Sequence, residues 1–132
     1  MADKERYDKG MAKRTELLGE KYVERMNQQT YDDPVMVKFR EVVAENVFAG
    51  LWTRPGLDLK TRTLICVISD AATGQEPELA IHLRMARRQG WSEEELTEAL
   101  LQLLGYVGAP LTREAMLIAS KTFKELREEG MD

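Results

Sequence analysis

The sequence has 132 residues, a mass of 15.1 kDa, 43% hydrophobic and 32% charged residues, and a net charge of -4. This length fits one domain, and the prevalence of Ala, Leu, Glu, Lys, Arg and Met favours helices. The charges of both signs are interspersed, so no basic tract suits nucleic acid, and no apolar run approaches the roughly 20 residues that cross a bilayer.

The N-terminal region predicts a helical arm. The segment DKERYDKGMAKRTELLG has apolar and long side chains at helical spacing, but Gly10 within it weakens the prediction of one unbroken helix. A second helical stretch follows from Lys21 to Gln29. We expect this arm, residues 1–30, to pack loosely or on a neighbouring subunit. Because the run MADKERYDKG is charged from its third residue, we also expect no signal peptide and a cytoplasmic protein.

The next helix is predicted to begin at Pro34, since an acidic residue before Pro is a strong start signal. Apolar residues then recur every three to four positions as far as Trp52. This spacing predicts one buried stripe on a helix of about four turns. Its members are Val35, Phe39, Val42, Val43, Val47 and Leu51.

The C-terminal half has clear helix boundaries. A Pro-Gly turn leads to Asp58, which can cap a helix over LKTRTLICVISDAATG that Gly74 closes. Pro77 opens a further helix, which Gly90 ends and on which Leu79, Leu83 and Ala86 form a stripe. The run Ser92-Glu93-Glu94-Glu95 has the pattern of a capping box, before a helix with Leu96, Leu100, Leu103 and Leu104 facing inward.

A break at residues 105–110 precedes the last predicted helix, Leu111 to Glu128, with inward-facing Ala115, Met116, Ile118, Ala119, Phe123 and Leu126. No internal repeat or interdomain linker is present. The sequence therefore predicts an all-α fold of about six to seven helices, organised as a single-domain helical bundle over residues 1–132.

Metal and disulfide chemistry have little basis in this sequence. Cys66 is the only cysteine, so no intrachain disulfide or dithiol cycle can form, and its apolar surroundings favour a buried, inert thiol. With one histidine and one cysteine, no zinc-ligand spacing exists. We therefore expect no metal site.

The single histidine, His82, lies in the apolar run ELAIHLRMA. Glu78 stands four residues earlier, so the two side chains can touch on one helix face. Such a pair can transfer a proton near neutral pH, which general acid-base catalysis requires. A histidine that serves only as a structural hydrogen-bond partner is the alternative. Arg54 and Arg62 have two interpretations as well: each can clamp a substrate carboxylate, or pair with a nearby acid such as Asp58.

Four stretches together resemble the carboxymuconolactone decarboxylase family, within the alkylhydroperoxidase D-like superfamily. They are ERYDKGMAKRTELLG, LWTRPGLDLKTRTL, ELAIHLRMARRQGWSEEELTEALLQ and YVGAP. The resemblance implies an all-α subunit that assembles into rings, as trimers or hexamers. It also implies cofactor-free decarboxylation of a carboxylated unsaturated lactone in the protocatechuate branch of aromatic catabolism, with a small-molecule carboxylate as the partner.

The resemblance also suggests roles for individual residues. His82, aided by Glu78, is predicted to deliver a proton to carbon. Arg62 or Arg54 is predicted to orient the substrate carboxylate, and Trp52 to form an apolar wall beside the ring. Glu78 replaces the cysteine that thiol-using members carry near the histidine, which excludes peroxidase chemistry through paired cysteines.

Some positions depart from the family pattern. Gly50 stands where decarboxylases typically carry an acidic residue, Arg88-Gln89 stands in place of an Asn-Asn pair, and Arg113-Glu114 in place of Asn-Ser. These departures favour a related decarboxylase, or a repurposed member that acts on another carboxylated ring. The alternative from another class is a non-catalytic oligomer that binds a small molecule and uses His82 structurally.

Overall fold

A computed structural model of the chain describes residues 3–131. These residues form helices joined by short turns, with no strand among them, so the all-α prediction is confirmed. The chain divides into two compact units, one up to Leu57 and one from Asp58 onward. That both belong to a single domain stays a prediction. No helix in the described range is long and apolar enough to span a membrane.

The helices of the N-terminal unit are α1 (Lys4–Leu18), α2 (Glu20–Gln29) and α3 (Pro34–Val43), and α3 continues into a π-helical turn (Ala44–Phe48). Those of the C-terminal unit are α4 (Leu59–Thr73), α5 (Glu76–Arg88), α6 (Glu93–Gln102), α7 (Leu104–Val107) and α8 (Ala109–Glu128).

Helix α1 runs unbroken through Gly10, because this glycine permits a close crossing rather than a break. Gly10 is buried, and a Cβ atom built on it would lie 1.8 Å from the carbonyl oxygen of Ala44. Only a residue without a side chain lets α1 pack this closely on the π-helical turn. Whether the arm also contacts a neighbouring subunit stays a prediction.

The prediction of a buried stripe on α3 is wrong for the isolated chain. Its large apolar side chains are mostly exposed: Val35 is 74%, Phe39 51%, Val42 56% and Leu51 54% exposed. Val47 is also exposed and Val43 is half-buried. The spacing predicts an apolar face correctly, but the other helices of the N-terminal unit do not cover that face.

The C-terminal unit is built around the α4–α5 hairpin. Asp58 caps α4 by accepting from the Thr61 N–H at 2.7 Å, and Ser92 and Glu95 form the predicted capping box of α6. The stripe of Leu79, Leu83 and Ala86 is buried as predicted. It joins one continuous core whose other members are Val67, Ala71, Leu96, Leu100, Ala115, Ala119 and Phe123.

The prediction that Leu104 faces inward is wrong, since this side chain is exposed. A separate short helix, α7, starts at Leu104, one residue before the predicted break, so the helical phase of α6 does not continue to this residue. Leu103 is half-buried against the core. The last helix begins at Ala109, slightly earlier than predicted, and buries Ala115, Ala119, Phe123 and Leu126 as its spacing indicated.

Candidate active site

The tight turn between α4 and α5 brings Asp70 and His82 together. Gly74 takes a left-handed conformation (φ 71°), and the Gln75 N–H donates to the Asp70 carbonyl at 2.9 Å. The two helices then run in opposite directions from this turn. Because Asp70 and His82 lie equally far from Glu76, on opposite sides of the turn, they face each other across the hairpin.

His82 is hydrogen-bonded through Nδ1 to Oδ2 of Asp70. The contact is sheltered without being sealed, since the side chains retain 19% exposure at His82 and 12% at Asp70. No hydrogen bond from within residues 3–131 reaches Nε2 of His82. An ionised Asp70 favours the proton on Nδ1, so Nε2 remains available as an acceptor or, in the imidazolium, as an acid.

Glu78, the partner predicted from sequence, lies one turn before His82 on α5 but is not its hydrogen-bond partner. Its side chain is exposed, and no hydrogen bond joins it to His82 in the part of the chain that the structure describes. A part for Glu78 in proton transfer stays a prediction. Helical spacing indicates only neighbours on the same helix, and Asp70 lies on the preceding helix. The sequence signal for it is Gly74, which marks the hairpin that places Asp70 opposite His82.

Cys66 lies one helical turn before Asp70 on α4 and is half-buried. Burial, with a smaller contribution from the charge of Asp70, raises the pKa of the Cys66 thiol to about 11. The thiol is therefore protonated at neutral pH, where the thiolate is the reactive form. This agrees with the prediction of an inert side chain.

A cavity of about 240 Å³ adjoins Asp70 within the C-terminal unit, and His82 is not among the residues that line it. Two more carboxylates, of Glu76 and Glu114, share its lining with apolar side chains of α5 and α8. A second cavity of about 270 Å³ lies between α6 and α8, and neither His82 nor Asp70 lines it.

The three residues predicted to bind the substrate differ in burial and in the part of the chain where they lie. Arg62 is half-buried on α4, two turns before Asp70, so about 12 Å along the helix axis separates them. In the N-terminal unit, Arg54 is exposed in the turn that follows the π-helical segment. Trp52 is buried there and stacks on Phe48, with ring centroids 6.3 Å apart. Their roles in binding a substrate stay predictions.

Gly50 is constrained by its backbone. A Cβ atom at this position would lie 2.3 Å from the carbonyl oxygen of Asn46, so the turn after the π-helical segment has no room for an acidic side chain in its present form. Of the other departures, Arg113 and Glu114 form an exposed ion pair at 2.9 Å. No cluster of three or more His, Cys, Asp or Glu side chains among the described residues could hold a metal ion.

Comparisons with known proteins agree with the resemblance described above. The model of the carboxymuconolactone decarboxylase family matches residues 37–121. A protein named 4-carboxymuconolactone decarboxylase, from Acinetobacter baylyi, is 36% identical over 96% of this chain and 92% of its own length. The nitrosuccinic acid decarboxylase npaB of Metarhizium robertsii is 34% identical over 94% of this chain and 85% of its own length.

These relatives are named for decarboxylation of different acids, so they support a carboxy-lyase at the level of the family. The family match extends over more than half of the sequence and includes the α4–α5 hairpin with Asp70 and His82. The chain belongs to the carboxymuconolactone decarboxylase family.

Proposed function

We propose that this protein is a cofactor-independent decarboxylase that acts on a small carboxylated unsaturated lactone, or on a related carboxylated ring, in aromatic catabolism. The observation that carries the proposal is the sheltered His82–Asp70 pair, which has one ring nitrogen fixed and the other free. The similarity to a relative named 4-carboxymuconolactone decarboxylase supports the choice of substrate class.

The proposed chemistry requires an acid but no electron-accepting cofactor. When the carboxylate of such a lactone leaves as carbon dioxide, its bonding electrons are conjugated toward the lactone carbonyl, so the substrate is its own electron sink. The protein must orient the carboxylate, stabilise the charge that grows on the lactone oxygen and protonate carbon. His82 provides the proton.

The remaining assignments come from the sequence resemblance. Arg62 or Arg54 orients the departing carboxylate through its guanidinium group, since planar bidentate pairing suits a carboxylate. Trp52 provides an apolar wall, and Glu78 assists proton transfer near the start of α5. No metal or organic cofactor takes part. We expect the protein to act in the cytoplasm.

A nitro-substituted carboxylic acid is the second candidate substrate, because one relative is named nitrosuccinic acid decarboxylase. A nitro group next to the departing carboxylate accepts the electron pair as a nitronate, so the same acid can complete the reaction. The departure at Gly50 favours this alternative, since an acidic residue typical of lactone decarboxylases is absent.

We also propose that the chain self-associates, as a trimer or hexamer, through the exposed face of α3. An apolar face that bears Val35, Phe39 and Val42 costs free energy in water, and a second copy of this chain is the partner always present with it. We expect at least three chains by light scattering, and a smaller assembly for Val42→Glu. A wild-type protein that is strictly monomeric would contradict this proposal.

The function is tested by mixing the purified protein with freshly generated 4-carboxymuconolactone, or with nitrosuccinate, and measuring carbon dioxide release. We expect turnover of one of them, and a loss of about 100-fold or more for His82→Ala and His82→Gln. Circular dichroism and light scattering must show unchanged helix content and assembly. If the wild type releases carbon dioxide from neither acid faster than buffer, the proposed reaction is wrong.

Loss of activity, helix content and assembly together in both variants would instead indicate that His82 is structural. That result would favour the alternative of a non-catalytic or repurposed family member that binds a small molecule.

A further inference from the structure

In the hairpin formed by α4 and α5, the two nitrogens of the His82 ring have different surroundings. Nδ1 is bound by Oδ2 of Asp70, whereas Nε2 has no hydrogen-bond partner among residues 3–131. We propose that Asp70 is the positioning residue of the active site: it holds the Nδ1–H of His82 and thereby makes Nε2 the atom that protonates the substrate. This inference rests on the proposed function.

Asp70 is suited to this task because its backbone is fixed. Its carbonyl oxygen accepts the Gln75 N–H at the end of α4, beside the left-handed Gly74. At the other end of the hairpin, the Trp91 indole N–H donates to the Lys60 carbonyl at 2.7 Å. Two helices tied at both ends can hold a carboxylate and an imidazole in register far better than a loop can.

The burial of the pair strengthens the contact. With 12% of the Asp70 side chain and 19% of the His82 side chain exposed, solvent screens this hydrogen bond less than it would screen a surface pair. Glu78 cannot replace Asp70 in the observed conformation, because its side chain is exposed and is not bonded to the ring. Asp70 is therefore the acid that sets the tautomer.

The proposed step balances without another reactant. The bond between the ring carbon and the carboxylate carbon breaks, carbon dioxide leaves, and the electron pair moves into the conjugated acceptor. The Nε2–H bond of the imidazolium then breaks, and its proton is transferred to carbon. The Nδ1–H stays on the ring, still donated to Asp70, and water returns a proton to Nε2.

The first test uses the fact that the chain has one histidine, so its ring signals are unambiguous. In a long-range proton–nitrogen spectrum of uniformly ¹⁵N-labelled protein, we expect neutral His82 to carry its proton on Nδ1. Asp70→Asn should move a large part of the population to the Nε2–H form, because the amide can donate to Nδ1. A wild-type ring that is mainly Nε2–H would overturn the proposal.

The matched control is Glu76→Gln, which removes the same charge from the lining of the cavity beside Asp70. It should leave the ring spectrum unchanged. An equal change of tautomer in both variants would mean that charge in the cavity, and not the Asp70 contact, sets the tautomer, which also overturns the proposal.

The second test is kinetic, with the acid that the wild type decarboxylates. We expect Asp70→Asn to lower kcat about 10- to 100-fold with KM within about twofold, since the acid is misoriented but substrate binding is not lost. Asp70→Glu should recover part of kcat, and Glu76→Gln should stay within about twofold of wild type. A folded Asp70→Asn protein with wild-type kcat would overturn the proposal.

The two tests distinguish a failure of the proposed decarboxylation from a failure of the proposed role of Asp70. A wild type that decarboxylates neither acid removes the proposed function, while its ring spectrum still tests the Asp70 contact. If Asp70→Asn does not fold, the wild-type ring spectrum and the kcat of Asp70→Glu test the role of Asp70 instead.

Discussion

Helices α3 and α5 carry the same kind of amphipathic pattern and differ in what covers it. On α5, Leu79 and Leu83 are almost completely buried, at 1% and 0% exposure. On α3, Phe39 and Val42 stay more than half exposed. The spacing of apolar residues therefore reports which face of a helix is apolar, and says nothing about whether the same chain covers it.

The cause lies in the contacts of each helix. Helix α5 packs on both α4 and α8, which together cover its stripe and form the core of the C-terminal unit. Helix α3 contacts the π-helical turn that continues it. Helix α1 packs on the same π-helical turn at Gly10. The apolar face of α3 lies outside these contacts, which is why we assign it to another copy of the chain.

The largest expected effect contrasts the two stripes directly. Leu83→Ala removes a fully buried side chain and should lower the free energy of unfolding by about 2–5 kcal/mol at any protein concentration. Val42→Ala should lower the free energy of unfolding by less than about 0.5 kcal/mol in dilute protein. The loss should be larger at high protein concentration, because we expect Val42 to be covered only in the assembly. Urea denaturation at two protein concentrations measures both.

A concentration-independent loss for Val42→Ala that equals the loss for Leu83→Ala would contradict this comparison. It would mean that α3 is covered within the chain.

The next effect concerns Gly10, where the N-terminal unit depends on a close backbone approach. Gly10→Ala places a Cβ atom against the Ala44 carbonyl, and backbone cannot rotate away as a side chain can. We expect a loss of about 3 kcal/mol, although alanine is the better helix former by about 1 kcal/mol. Thermal unfolding compares it with Gly56→Ala, whose added Cβ atom meets nothing within 4 Å. Equal melting temperatures for the two variants would show that the crossing is not tight.

What the sequence predicts well here is local. The Asp33, Asp58 and Ser92 caps, the Gly74 turn and the stripe of α5 depend on neighbours a few residues away, and the structure confirms them. Gly10 shows the limit of such local signals. Within a helix it indicates a break, but its actual reason is a carbonyl group far along the chain.

The candidate site shows the same limit. A histidine among apolar residues is conspicuous in the sequence, and a spacing of four residues indicates Glu78 as the partner of His82. The observed partner, Asp70, is twelve residues away. The boundary at Gly74 could have identified it, since in an antiparallel hairpin residues equally far from the turn face each other. Arg54, Arg62 and Trp52 carry no comparable geometric signal in the sequence.

The smallest expected effect tests the interior of the α4–α5 hairpin through Cys66. Burial, aided by the charge of Asp70, raises the pKa of this thiol from 9.0 to about 11. Between these values the unfolded chain releases the proton and the folded chain retains it, so the unfolded state binds fewer protons and stability falls as pH rises. Below pH 9 this contribution to the pH dependence vanishes.

A shift of two pKa units corresponds to about 2.7 kcal/mol of stability lost at high pH. Solvent screening at a half-buried thiol reduces the expected loss to about 1–2 kcal/mol. Urea denaturation at pH 8 and pH 11 should therefore show a larger loss for wild type than for Cys66→Ala, by that amount. Tyrosines and lysines titrate equally in both proteins and cancel in the difference. Equal losses would mean that the thiol is solvated, and a solvated thiol one turn from Asp70 would contradict the sheltered setting of the His82–Asp70 pair.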